Sequence, residues 1–377
     1  MSTESSPFAS RAGFVADETG VAAHFGNPLV EQRALAAGSA VVELGNRGVI
    51  TVTGPDRLSW LDSLTSQSLK TLAVGESTET LLLDPAGRLE HAARVLDDGV
   101  TTWLLVDGAE VETFAPWLDR MRFMLRVEVA DRSGDFATLG SFADLGLPAS
   151  DPAGVPLVWV DPWSEVAPGG VGYAAEATHP GHEWTYRETL VTAEGLVQVA
   201  ASDVAAAGAL ALEALRIAAW RPRLVTEADE RTIPHELDWL RSAVHLDKGC
   251  YRGQETVAKV HNLGHPPRRL VMLHLDGSDN VLPPHGSPVF EDAASDPSSS
   301  AGSSEPREVG TITSSATHYE LGPIALAVIK RSVDVSAPLV VHADDTVIAA
   351  AQEVIVPPSA GAAAGVPRLP RLGAVRR

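Results

Sequence analysis

The densest chemistry in this 377-residue sequence lies at Asp247-Lys248-Gly249-Cys250-Tyr251-Arg252-Gly253-Gln254-Glu255, where the one cysteine sits two residues after a lysine and two before an arginine. Neighbouring cations and a helix start both favour a thiolate over a thiol, and a helix is predicted to open near Gln254. Cys250 is therefore the candidate reactive group, with Lys248 beside it as its catalytic companion. Gly249 and Gly253 would let backbone approach a ligand closely. The competing reading is a small buried side chain in a structural turn.

Three histidines share that window, and His245, Cys250, His261 and His265 together raise the alternative of a zinc site. His261 and His265 lack the glutamate of an HExxH pair, and Gly264 is predicted to end the helix between them, so solvated or capping roles are favoured over a metal. A second dense stretch begins at Arg216 and runs through Arg221, Arg223 and Glu227 to Pro234-His235-Glu236. It reads either as cations and carboxylates gathered around a ligand or as basic residues complementing a helix end. Gly170-Val171-Gly172-Tyr173-Ala174-Ala175 matches a relaxed dinucleotide fingerprint but reads as a hairpin strand, because no strand, turn and helix surround it. No phosphate loop and no nucleophile elbow occurs, which leaves nucleotide hydrolysis and serine hydrolase chemistry without support.

Lys+Arg number 29 against Asp+Glu 49, a net charge of −20 that repels nucleic acid, anionic membrane and polyanionic ligands. Any anion site must be a local basic pocket. A single cysteine rules out an intrachain disulfide framework, an all-cysteine zinc site and an iron–sulfur cluster held by this chain's thiolates alone, and suits a reducing cytoplasm. The N-terminal stretch lacks the pattern of a signal peptide, and no run of about 18 apolar residues occurs, so a membrane span is not expected.

The elements that must position these residues follow from periodicity. Residues 1–27 show no sustained period and read as a loose arm. A helix is predicted from Pro28 to about Ser39, then a β-branched strand at 48–53, with Gly54-Pro55-Asp56 opening a helix. Three strand-like runs at 79–84, 88–96 and 100–107, broken by two turn signals, form a meander, followed by a helix at 109–122 and a strand at 125–129. Asp203 is predicted to cap a helix reaching Trp220, which Pro222 ends. From 266 to 356 short β-rich runs at 269–275, 309–313, 324–330, 339–342 and 346–356 predict a small antiparallel barrel or sandwich, interrupted by a low-complexity loop at 292–305. Residues 357–377 read as a disordered tail. Helices segregated from strand clusters make the class α+β.

Taken together, Lys248 to Glu255, the Leu215-Arg216-Ile217 helix end, Pro234-His235-Glu236 and Gly48-Val49-Ile50-Thr51-Val52-Thr53-Gly54-Pro55-Asp56 resemble the YgfZ family of folate-binding proteins, relatives of the glycine-cleavage T-protein, an aminomethyltransferase. The resemblance covers about 28–356. It implies two interleaved α+β domains over 28–265 and a C-terminal antiparallel β-barrel, arranged around a central site for tetrahydrofolate or another reduced folate. The anionic folate tail then needs cations, for which Arg216, Arg223 and Arg252 are candidates, with Tyr251 as a further contact. Where relatives carry a pterin-binding glutamate in a Leu-Arg-x-Glu-Ala-Gly run, this chain has Ala218, and Glu227 is the expected substitute. Where the T-protein carries a catalytic aspartate after a glycine turn, this chain has Gly87-Arg88-Leu89-Glu90-His91-Ala92. The resemblance implies a cytoplasmic accessory protein for assembling or maintaining iron–sulfur clusters, with iron–sulfur proteins, including a tRNA-modifying enzyme, as partners. An aminomethyl or other one-carbon transferase is the alternative, and a folate-free interaction platform a third reading.

Overall fold

The computed structural model describes residues 6–278, 280–292 and 307–365. The chain opens with a 3-10 turn at Pro7–Ser10 and a hairpin of β1 (Val15–Ala16) and β2 (Ala22–His24). This segment is packed, in contrast to the loose arm expected. Phe8 is 1% exposed, in a cluster with Val41, Leu139 and Val191. Arg11 donates to the carbonyls of Val199, Ala200, Ser202 and Val204. Docking through scattered single residues leaves no periodic signal in the sequence.

Helix α1 (Pro28–Ala36), capped by the Asn27 side chain, leads to β3 (Ala40–Glu43) and β4 (Arg47–Thr53). These two strands part company at once. β4 enters a sheet with β5 (Ser77–Leu83), β6 (Leu89–Asp97), β7 (Thr101–Asp107) and β8 (Glu128–Asp131), in the antiparallel order β5-β6-β7-β4-β8. Helices α2 (Arg57–Leu64) and α3 (Gly108–Met121) cover one face, burying Ile50, Val52, Trp60, Leu104, Phe114 and Leu118. Gly54, at φ +114, is required here because a Cβ would lie 2.1 Å from the Arg126 carbonyl. Asp56 makes no side-chain cap on α2, since its carboxylate is held by Arg126 at 2.6 Å.

β3 instead waits for the chain to return. It pairs with β9 (Ala137–Ser141) on one side and, in parallel, with β12 (Ala205–Ala207) on the other, while β10 (Val158–Val160) and β11 (Arg187–Val191) complete the order β10-β11-β9-β3-β12. One sheet is thus inserted into the chain of another, which makes the two α+β units interleaved. Between β11 and β12 runs α4 (Ala193–Ala200), and after β12 comes α5 (Ala209–Ala218), whose cap is Gly208 rather than Asp203. The alanines at 205–207 carry little preference of their own, and tertiary pairing with β3 makes them a strand. Residues 170–175 likewise form no strand: Gly170 passes so close to the backbone at 240–241 that a Cβ would lie 2.6 Å from the Arg241 carbonyl.

Short helices α6 (Leu224–Glu227) and α7 (Leu240–Ala243) precede α8 (Gln254–Leu263), which starts and stops at the predicted residues. The C-terminal strands β13 (Arg268–Leu275), β14 (Pro288–Glu291), β15 (Arg307–His318), β16 (Gly322–Lys330), β17 (Leu339–Ala343) and β18 (Thr346–Val354) close into an antiparallel barrel around Val271, Ile312, Ala327 and Val341. Of the low-complexity loop expected at 292–305, residues 293–305 lie outside the described residues. Of the tail expected to be disordered, residues 357–365 pack on the end of α8, where the N–H groups of Ala362, Ala363 and Ala364 reach the carbonyls of Val260, His261 and Asn262. Residues 366–377 lie outside the described residues. Among the described residues no helix is long and apolar enough to cross a membrane.

Candidate functional site

The cysteine loop spans the connection between α7 and α8 and leaves Cys250 exposed. It is seated by its neighbours. The Lys248 ammonium, with a side chain 3% exposed, donates to the backbone carbonyls of Asp62, Thr65 and Gln67 and lies 3.5 Å from the Asp62 carboxylate. Burial pushes its pKa down to about 8, opposed by Asp62, so it is still charged at neutral pH. The same ammonium sits 5.4 Å over the Tyr251 ring. Arg252 forms an ion pair with Glu90 and lies 5.8 Å over Trp117. Gly253, at φ +83, places the loop against the β5–β6 turn, where a Cβ would lie 2.7 Å from the Asp84 carbonyl, and Gly87 packs equally tightly on Thr256. Both cations expected to attend the thiol are thus held by other partners, and the Cys250 side chain makes no hydrogen bond among the described residues. What remains of the expectation is an accessible sulfur just ahead of a helix start.

The arginines of the second motif converge elsewhere. A cavity of about 310 Å³ lies between the β3–β4 turn, β6, α5 and the start of β11, and Arg47, Arg94, Arg216, Arg221 and Arg223 all line it. Against these five stand four lining carboxylates, Asp17, Glu43, Asp161 and Glu213, and Glu79, Asp107, Glu188 and Glu227 pair with the same arginines, so the chamber gathers cations without a local excess of positive charge. A narrow recess sharing Arg94, Arg221, Pro222 and Arg223 adjoins it.

The arginines are not equally available. Arg47 spends its guanidinium on Glu188 and Asp107, at 2.7 and 2.6 Å. Arg216 is bidentate to Glu213, bonds Glu227 at 2.9 Å, and also donates to the Arg221 carbonyl and the Ser314 hydroxyl. Arg223 donates three times to Asp107. Asp107 is buried, which raises its pKa, but Arg47, Arg223 and Arg94 outweigh that and hold it at about 2. Arg221 pairs with Glu79 at 2.6 Å and Asp161 at 3.0 Å, stacks on Trp163, and keeps a buried Nη1 with no hydrogen-bond partner among the described residues. Arg94 makes a 3.3 Å contact to Glu188 and lies 5.4 Å over the Trp159 ring. Arg94 and Arg223, whose side chains are 17% and 23% exposed and whose Nη1 groups make no hydrogen bond among the described residues, are therefore the cations with N–H groups left for an anionic ligand, whereas the unpartnered Nη1 of Arg221 is buried.

Of the residues singled out from sequence, Arg216 and Arg223 line the cavity, while Cys250, Lys248, Tyr251 and Arg252 line neither it nor the recess. Glu227 corrects the expectation most directly. It is 2% exposed, and its two oxygens accept from Arg216, the Arg223 N–H, Thr226, Thr313 and Ser314, so it has no edge to offer a ligand. Glu90 is held by Arg252, and His91 by Glu110 at 3.0 Å under Phe114; neither reaches the cavity. Ala218 faces a different pocket, with Phe142, Trp184 and Tyr319. Sequence reasoning missed Arg47, Arg94, Glu43 and Glu213. The first three lie on strands or strand ends that carry no motif, and Glu213 would have been found by placing it one turn before Arg216 on α5. His245, His261 and His265 bond the Asp247 N–H, Tyr173 and the Ala360 carbonyl, and among the described residues no group of three or more His, Cys, Asp or Glu gathers to hold a metal.

No family model matches the chain. A chloroplastic transferase-like protein of Arabidopsis thaliana is 27% identical over 286 residues, covering 71% of this chain and 63% of the relative. A mitochondrial iron–sulfur cluster assembly factor, an IBA57 homologue of Mycosarcoma maydis, is 25% identical over 260 residues, covering 62% and 56%. The chain thus spans less than two thirds of the length of these two relatives. An aminomethyltransferase of Synechococcus sp. is 27% identical over 325 residues, covering 82% and 84%. The crystal structure of the glycine cleavage aminomethyltransferase T from Bartonella henselae superposes with a TM-score of 0.66 over 93% of this chain and 96% of that one, at 16% identity. The chain therefore has the aminomethyltransferase fold and is similar in sequence to an aminomethyltransferase and to an iron–sulfur assembly factor.

Proposed function

We propose that the arginine-lined cavity binds a reduced folate, tetrahydrofolate or a derivative, and that the protein is a cytoplasmic accessory factor for iron–sulfur enzymes. The observation that carries the folate half is the gathering of five arginines around one cavity in a strongly acidic chain with an aminomethyltransferase fold. The glutamyl tail of folate is anionic, and charge-assisted hydrogen bonds from Arg94 and Arg223 would hold it. Similarity to the fungal assembly factor supports the second half. In this reading Cys250 is the reactive group offered to an iron–sulfur partner, among them a tRNA-modifying enzyme, and Lys248 positions its loop. The test is a titration of the purified protein with 5-formyltetrahydrofolate, alongside complementation of a cell lacking the native gene. Micromolar binding, and failure of Cys250→Ser to restore iron–sulfur enzyme activity while still folding and binding folate, are expected. No binding by the parent overturns the folate half, and full complementation by the serine variant removes Cys250 from the mechanism.

One observation favours a transferase instead: the match to the Synechococcus enzyme spans most of both chains. The acid available at the expected catalytic position, Glu90, is tied to Arg252 outside the cavity. Ammonia release from an aminomethylated carrier protein plus tetrahydrofolate should accordingly be negligible. Robust turnover abolished by Glu90→Ala would establish the transferase.

A further inference from the structure

A second cavity, of about 240 Å³, lies where the turn between β15 and β16 meets α5 and the residues leading into β11. Its walls are aromatic. Phe142 and Trp184, both buried, stand edge to face at 4.9 Å and 88°, and Tyr319 comes from the barrel turn. The Trp184 indole N–H is spent on Asp161, so to this cavity Trp184 offers ring surface alone. Among the described residues no arginine or lysine lines it, whereas Glu183 and Glu320 both do, and neither carboxylate makes a hydrogen bond or ion pair there. Both carboxylates act on the Tyr319 phenol, whose pKa is raised first by burial, then by Glu320 and Glu183, against the opposing Arg33. The Arg33 guanidinium lies 5.3 Å over the Tyr319 ring and does not line the cavity. The turn itself is fastened. Gln32 on α1 donates to the Thr317 carbonyl and accepts from the Tyr319 N–H, while His318 Nδ1 accepts from the N–H groups of Glu320 and Leu321. Burial lowers the pKa of His318 against Glu320, so the ring is neutral at pH 7 and its Nε2 is the nitrogen left to donate.

We propose that this second cavity binds a small organic cation of the quaternary ammonium class, its alkylated nitrogen among Phe142, Trp184 and Tyr319 and its charge answered by Glu183 and Glu320. A quaternary nitrogen has no N–H to donate, so it is held by ring faces and by nearby anions, and it loses little hydration on entering an apolar box. Two unpaired carboxylates beside aromatic walls supply both, and a cation between them also relieves their mutual repulsion. The volume lies below the roughly 300–1,000 Å³ of drug-sized sites, which suits a ligand of a few heavy atoms. A hydroxyl on that ligand would accept from His318 Nε2. The site does not rest on the folate reading: this cavity selects a cation, whereas the arginine-lined cavity is read as taking an anion, and Trp184 lines both.

Choline and its uncharged carbon isostere, 3,3-dimethylbutan-1-ol, separate charge from shape, and calorimetric titration of the full chain reads both. The parent should bind choline saturably in the millimolar range or tighter, and the isostere roughly tenfold more weakly, since only choline carries the charge that the rings and carboxylates attract. The double variant Glu183→Gln/Glu320→Gln, at two exposed positions, should weaken choline by about tenfold and leave the isostere unchanged. Tyr319→Leu, which keeps an apolar wall and removes the ring, should weaken choline by about threefold or more, again without loss of the isostere. Equal affinity of the parent for the two ligands would overturn the proposal, because charge would not be what the cavity reads. Choline binding by the double variant within twofold of the parent would also overturn it, and so would the absence of saturable choline binding by the parent. None of these outcomes bears on 5-formyltetrahydrofolate, whose titration tests the other cavity.

Discussion

Lys248 illustrates how a residue can look catalytic in sequence and act as a pin in the fold. Its ammonium meets three convergent carbonyls, from Asp62, Thr65 and Gln67, which suits the compact three-donor geometry of lysine and not the planar fork of arginine. Lys248→Met would leave those acceptors buried without donors, at about 1–3 kcal/mol for the first of them. We expect a lowered denaturation midpoint for both Lys248→Met and Lys248→Arg; a parent-like midpoint for the arginine variant would show that charge alone suffices. Asp238 supplies a pH dependence. It adopts φ +56, accepts from the Tyr173 N–H and is wholly buried, and burial raises its pKa to about 7 against the opposing Tyr173 bond and Arg241. The native state therefore keeps a proton that the unfolded chain releases near pH 4, so this contribution to stability is complete below about pH 4 and is lost as pH rises to about 7. Asp238→Asn, which tolerates the left-handed conformation, should flatten that slope by on the order of 1–3 kcal/mol. Urea midpoints at pH 5 and pH 8 that differ as much in the variant as in the parent would exclude Asp238 as the source.

Among the elements, the N-terminal segment depends on Arg11. The last carbonyls of a helix have no partner within it, and here the Arg11 guanidinium satisfies those of Val199 and Ala200 at the end of α4 together with Ser202 and Val204 beyond it. Arg11→Ala should release the segment, opening sites between 12 and 24 to limited proteolysis and weakening 5-formyltetrahydrofolate, while the barrel stays protected; an unchanged digestion pattern would show that the apolar contacts of Phe8, Phe14 and Val21 hold it without the arginine. That docking was not legible in the sequence, because a single arginine bonding carbonyls some 190 residues away has no period and no neighbour to mark it. The β5–β7 meander, α3, α8 and the barrel were legible, since each repeats an apolar pattern between turn residues. β12 and the Gly170 stretch were not: three alanines and two glycines take whatever conformation their neighbours impose. At the site, Arg216 and Arg223 could be read from their clustering near a helix end, whereas Arg94 and Glu43 become visible only when separate strands are folded around one cavity.

At the scale of the whole molecule, the interleaved units and the barrel must be held in register for the cavity to exist, and Glu227 is placed to do so. It stands at the end of α6, bonds Arg216 on α5 at 2.9 Å, and accepts from Thr313 and Ser314 on barrel strand β15 at 3.1 and 2.5 Å. Arg216 reaches the same serine at 2.7 Å, so one buried ion pair ties two α+β elements to the barrel. Removing Glu227 leaves Arg216 paired with Glu213 but takes the acceptor from Thr226, Ser314 and the Arg223 N–H, each buried donor left unsatisfied costing about 1–3 kcal/mol. Glu227→Ala should therefore fall chiefly on stability: a large drop in urea midpoint, with loss of folate affinity only in proportion to the fraction unfolded. Ser314→Ala should cost much less alone, and less again in the Glu227→Ala background, because the serine's partner has already gone. A Glu227→Ala protein that melts with the parent yet binds 5-formyltetrahydrofolate tenfold more weakly would reverse this assignment, making Glu227 a ligand-reading carboxylate and the barrel's attachment the work of other contacts.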